Sequence, residues 1–138
     1  MGKRKVVPGD VCQLRLEDDR FTYGRVLRDA SVAIYRTTTQ IPRTPPIGER
    51  DFVFTVGVYE DLPGSQDCPI VGHDPFDDQD QAWPPPYKLV DPINGSIRIY
   101  HRGEIQEAPN PAGAAGLEKA AVWDLHHLLH RIRVELSV

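Results

Sequence analysis

The sequence has no long apolar run. None approaches the ~20 residues that a helix needs to cross a bilayer, so no membrane span is expected. The basic start, Met1 to Lys5, has no apolar stretch behind it, and no secretory leader is expected. Position 6 is Val6, where N-myristoylation after Gly2 would need Ser or Thr. Cysteine is scarce: Cys12 and Cys68 form neither a CxxC knuckle nor a disulfide framework. That usage fits a reduced, cytoplasmic compartment, with Cys12 a small buried hydrophobe in a strand. GxSxG, P-loop and GxGxxG patterns are all missing, and no nucleophile can be named. No enzymatic activity and no cofactor are expected. A basic surplus is missing too. The formal net charge is −4, which argues against nonspecific nucleic-acid binding.

What is present is ordinary globular composition, 40% hydrophobic and 26% charged over 138 residues. This fits one domain, residues 1–138, with one modest core. The charge is unevenly spread. Residues 1–50 carry ten basic and six acidic side chains, whereas residues 51–100 carry two basic and nine acidic. An acidic middle suits a basic partner.

Strand signals dominate the first 60 residues. After the Pro8-Gly9-Asp10 turn, Cys12, Leu14 and Leu16 alternate with Gln13 and Arg15, which predicts a strand with one buried and one wet face. A polar turn, Glu17 to Arg20, leads to a return strand over Phe21 to Arg28, where Gly24 suggests a bulge or bend. Ser31 to Thr39 and Phe52 to Tyr59 read as further strands, the latter central. The prolines of residues 41–51 mark a loop, and residues 60–86 show little regular structure. Short strands follow at Tyr87 to Val90, Ile97 to Tyr100 and Glu104 to Glu107. The period then changes. Leu117, Ala121, Leu125, Leu128 and Ile132 predict an amphipathic helix of about five turns, capped at Asn110 with Pro111 first or starting only near Gly116.

His126 and His130 share a helical face as zinc ligands can, but His127 stands where HExxH needs glutamate, and the spacing supplies no third ligand. A solvated polar face is the expectation, with no metal. The acidic stretch "HDPFDDQD" lacks the spacing, glycine and terminal glutamate of an EF-hand. It reads as a solvated loop or a patch for a basic partner. Trp83, before three prolines, suits either packing over a core edge or a polyproline ligand segment.

Two signatures carry a resemblance. Gly9, Asp10 and Val11 open an alternating strand that returns through Tyr23, Gly24, Arg25 and Val26. Near the other end stand Gly116, Leu117, Glu118, Ala121, Val122 and Trp123. Together, in this order, they resemble the immunity protein 26 family of bacterial polymorphic toxin systems, while residues 41–92 show no such resemblance. The resemblance implies a non-catalytic cytoplasmic protein that binds and neutralises a cognate toxin domain, with the signature residues structural: Gly24 for a bend, Asp10 for turn amides, Trp123 for packing. Binding then belongs to parts outside the signatures. The acidic loop is such a part, and a basic nuclease is a natural target for it. The expected surface is Glu60, Asp61, Asp74, Asp77, Asp78, Asp80 and Trp83. The alternative is a small barrel-like regulatory or peptide-binding module unrelated to toxins, which a cleft lined by exposed aromatics would favour. The expected fold is α+β: a strongly bent antiparallel β-sheet, as a partly open small barrel, packed against one C-terminal α-helix.

Overall fold

Period-two alternation near the N-terminus builds the centre of the fold. In the computed structural model, which describes residues 5–17, 19–108 and 111–136, β1 (Asp10–Arg15), β2 (Phe21–Leu27) and β3 (Ser31–Tyr35) form an antiparallel meander. β4 (Phe52–Val58) pairs with β3, and β5 (Ile70–His73) pairs with the other side of β1. A two-residue strand, β9 (Val122–Trp123), adds parallel to β4, giving the order β5-β1-β2-β3-β4-β9. β6 (Tyr87–Val90), β7 (Ile97–His101) and β8 (Glu104–Glu107) make a second, three-stranded sheet. One helical turn, α1 (Pro111–Ala114), and the helix α2 (Leu125–Leu136) complete the α+β fold. The sheets are bent but do not close into a barrel, and the large sheet is mixed rather than purely antiparallel.

One face of the large sheet carries Cys12, Leu14, Val26, Val32 and Ile34, packed against Leu128 and Ile132 of α2. These two helix residues lie one turn apart and are fully buried. The thiols of Cys12 and Cys68 meet in this core. Their contact, together with burial, pushes the Cys68 pKa up, so Cys68 is not poised as a nucleophile.

The hairpin's second face is wet only near its turn, where Arg15 is exposed and Gln13 half-buried. Every residue of β2 after Phe21 is buried. Val11, Tyr23 and Tyr35 form a second core cluster there with Phe21, Phe52 and Val71. The Pro-rich loop helps cover it: the Tyr23 hydroxyl bonds Thr39 Oγ1 at 2.8 Å, and Pro45 and Ile47 lie over Gly72. Gly24 makes no bulge, since the ladder runs through it without a register shift. Its need is close packing: a Cβ there would lie 3.3 Å from Cys12 Sγ and 3.4 Å from Ile34 Cδ1.

The C-terminal helix is shorter than its apolar period implies. Leu117 lies in the bend after α1, its amide bonded to the Ala114 carbonyl, Ala121 lies in the extended stretch before β9, and α2 begins only at Leu125. Asp124 sets that start: its Oδ1 accepts the His127 amide at 2.8 Å, which satisfies an orphan N–H of the first turn. Upstream, the free edge of β4 captures the β-prone Val122-Trp123 pair. Asn110 and Asp18 lie outside the described residues. The capture of β9 depends on Gly57, whose Cβ would fall 2.9 Å from the Ala121 carbonyl oxygen. Gly57→Ala should therefore cost about 1–3 kcal/mol by overpacking, measured by chemical denaturation. Undiminished stability would contradict this docking.

Candidate functional site

The acidic loop starts from a buried ion pair. Arg25, on the dry second face of β2, donates through Nε to the Asp74 carbonyl at 2.9 Å and through Nη2 to the Pro75 carbonyl at 2.7 Å. Its guanidinium also lies 3.7 Å from Asp74 Oδ1 and 3.6 Å above the centre of the Phe76 ring. The Asp74 carboxylate accepts from the Tyr35 hydroxyl at 2.6 Å, the Gly48 amide at 3.2 Å and both Nη atoms of Arg50 at 2.9 and 3.1 Å. Burial alone would raise the Asp74 pKa, but these donors and the nearby Arg25 charge outweigh it and hold the carboxyl below its ordinary 3.8. Burial and the same carboxylate push the Tyr35 hydroxyl up. Beside this network, Asp10, fully buried, accepts from the Val7 amide at 3.0 Å and contacts His73 Nδ1 at 2.8 Å. Asp10 thus bonds a turn amide, as its place in the signature implies.

Asp74 therefore departs from the surface expected of it: it is 2% exposed and its oxygens are occupied. The later acids are placed differently. Asp77, Asp78 and Asp80 are exposed. Asp78 caps a 3₁₀ turn, Gln79–Ala82, through its Oδ1 on the Asp80 amide at 2.9 Å. Ala82 is buried, and its carbonyl accepts the Arg28 amide at 2.7 Å, which ties the turn to the large sheet. Trp83, half-buried, has the guanidinium carbons of Arg28 and Arg102 at 5.4 and 5.5 Å from its ring, so part of the ring is engaged within the fold and part is accessible. Arg102 also meets Asp80 at 3.4 Å, an exposed pair that contributes little. The loop read as irregular thus holds a strand, β5, and this turn. β5 escapes notice because it has four residues, one of them Gly72.

Glu60 and Asp61 are exposed after β4. Asp61 borders a shallow hollow with Leu62, Ser65, Asp124 and Leu125. Glu60 lines a groove of about 570 Å³ between the two sheets, which the sequence did not reveal as a site. Tyr87, Tyr100 and Ile105 are cross-strand neighbours in register and give one face of the small sheet to this groove. The opposite wall comes from Gly57 to Glu60 and Ala120 to Val122. The Tyr87 hydroxyl shares a 2.8 Å hydrogen bond with Ser31 Oγ, and burial pushes its pKa up to about 12. The Tyr100 hydroxyl donates to Asp29 Oδ2 at 2.8 Å.

The second signature holds the groove's far wall. Residues 118–120 bond both sides of Lys88 in β6, and β9 then pairs with β4, so one segment bridges the two sheets. Glu118 pairs both its oxygens with Arg131 of α2 at 2.7 and 2.9 Å. Arg131 lies over Phe54 and Trp123 at 4.1 and 5.2 Å, so Trp123 packs. His126, His127 and His130 are exposed; His127 contacts Asp124. Among the described residues, no group of three or more His, Cys, Asp or Glu is placed to hold a metal ion.

Fold and surface define a small α+β protein that exposes carboxylates and carries an aromatic-lined groove. Its sequence matches the profile of the family described as Immunity protein 26 over residues 7–97. The chain belongs to that family, which implies an immunity protein. No curated protein and no solved structure matches it. The match takes in residues 41–92, where motif reading found no resemblance, and stops before the second signature. The acidic loop thus lies within the family pattern, and its candidacy rests on charge and exposure. No helix among the described residues is long and apolar enough to cross a membrane.

Asp74 should dominate acid sensitivity. Its folded pKa is depressed, so its stabilisation is complete above the ordinary 3.8 and is lost as pH falls from about 4 through the folded value. Asp74→Asn should cost about 3–5 kcal/mol, because Arg25 is left buried without its counter-charge. Urea denaturation at pH 7 and pH 3 checks both: the gap between the two proteins should narrow at the lower pH.

Proposed function

We propose that this immunity protein acts in the cytoplasm as one non-catalytic domain that neutralises a cognate toxin domain of a bacterial polymorphic toxin system by stoichiometric binding. The observation that carries the reading is the exposed acidic surface of Glu60, Asp61, Asp77, Asp78 and Asp80 on a member of an immunity-protein family. Only Asp80 among these has an ion-pair partner among the described residues. Such carboxylates speed encounter with a basic surface and reject acidic ones. A basic nuclease toxin is the partner this charge fits, and Trp83 adds apolar area at the end of the same turn. Asp74 acts from below, by fixing where the loop leaves the sheet.

The groove favours a second reading, a peptide-binding module without a toxin partner, because exposed Tyr59 and half-buried Tyr100 line it.

Co-expression with a candidate cognate toxin domain tests the leading reading, with survival of the host as the expected result. The double change Asp77→Lys and Asp78→Lys should weaken binding by about 10–100-fold at low salt and flatten its salt dependence. Trp83→Ala should cost on the order of 2 kcal/mol, as expected of an interface aromatic. Unchanged affinity and unchanged salt slope in the double variant would remove the acidic loop from the interface.

A further inference from the structure

The groove plays no part in holding the fold's buried ion pairs, yet it is built from large apolar side chains left accessible. Tyr59, Ile105 and Val122 on its walls are 55%, 54% and 59% exposed. Its fourteen lining residues include two carboxylates, Asp29 and Glu60, and no lysine or arginine. Asp29 accepts from Tyr100, and Glu60 has no hydrogen-bond or ion-pair partner among the described residues. Its volume of about 570 Å³ is enough for one large side chain and its neighbours. Apolar walls with an acidic rim select for an occupant of opposite pattern.

We infer that the groove seats one extended segment of the toxin domain, presenting an apolar or aromatic side chain flanked by lysine or arginine. The inference rests on the toxin-binding reading and supplies its anchor. The apolar side chain packs on Tyr100, Ile105 and Val122, while the flanking cation meets Glu60 and Asp29. The acidic 3₁₀ turn lies close by, since Arg102 of the β7–β8 hairpin touches Asp80 and Trp83 while Tyr100 lines the groove. The carboxylate loop then supplies rate and selectivity, and the groove supplies the desolvated contact typical of hot spots.

The test has two arms on the full chain. In the first, its NMR spectrum is followed during titration with two synthetic decapeptides, one centred on Lys-Phe-Lys and one on Glu-Phe-Glu. The basic peptide should shift Tyr100, Ile105 and Val122, the acidic one should not, and Ile105→Arg should abolish the effect. In the second, calorimetry measures binding of the toxin domain to the wild type and to Ile105→Arg, Glu60→Arg and the groove-filling Ala121→Trp. Each variant should bind at least tenfold more weakly, with circular dichroism unchanged. Binding of all three within twofold of wild type would overturn the groove inference and leave toxin binding intact. Failure of the wild type to bind toxin while the basic peptide still occupies the groove would overturn the toxin reading and keep the groove as a site for basic-aromatic segments. Silence in both arms overturns both. A dimer of the chain alone that Ile105→Arg dissociates would assign the groove to a second copy and overturn the inference.

Discussion

The buried pair of Arg25 and Asp74 is the constraint on which the rest of the exposed surface depends. A guanidinium on the dry face of a central strand needs its donors satisfied and its charge balanced. The chain meets this by leaving β5 at Asp74 and crossing Arg25, which takes the carbonyls of Asp74 and Pro75 and the ring of Phe76. Tyr35, Gly48 and Arg50 bond the same carboxylate, so the Pro-rich loop is fastened at the same point. The acidic stretch after Phe76 starts from this clamp. The acidic turn is therefore held at its start by a buried charge and at its end by the bond from the Arg28 amide to the Ala82 carbonyl.

A second linkage places the groove. The extended segment around 118–123 joins the small sheet to the large one, and Glu118 and Trp123 are both held through Arg131 of α2. Helix, edge strand and small sheet are thus one mechanical unit. The two signatures serve different ends: the first clamps the loop under the sheet, and the second sets the spacing between the sheets. In both, the signature side chains bond or pack within the fold: Asp10 and Arg25 in the first, Glu118 and Trp123 in the second.

Strand positions were legible because alternation, β-branched residues and turn residues are local signals: β1 to β4 and β6 to β8 follow from them, with β3 ending at Tyr35 rather than Thr39. What escaped was decided by tertiary contact. The apolar spacing from Leu117 to Ile132 suits a helix, but the edge of β4 and the Asp124 cap divide it into strand and helix. The wet face expected of the hairpin holds at Arg15, but around Val11 and Tyr23 it became a core because a distant Pro-rich loop covers it. Among the site residues, exposure of Asp77, Asp78 and Asp80 follows from their composition. The burial of Asp74, three residues away, does not, since it depends on an arginine 49 residues distant. The groove has no sequence signal at all, because its walls come from six separate strands or turns brought together by the fold.

Hydrogen–deuterium exchange of the chain, alone and with a candidate cognate toxin domain, tests the central claim most directly. The account predicts slowed exchange on binding in residues 77–83, 57–60 and 97–107, with β1 to β3 unchanged because they are already protected. Protection confined to the Pro-rich loop or to the histidine face of α2, or no protection anywhere, would contradict it.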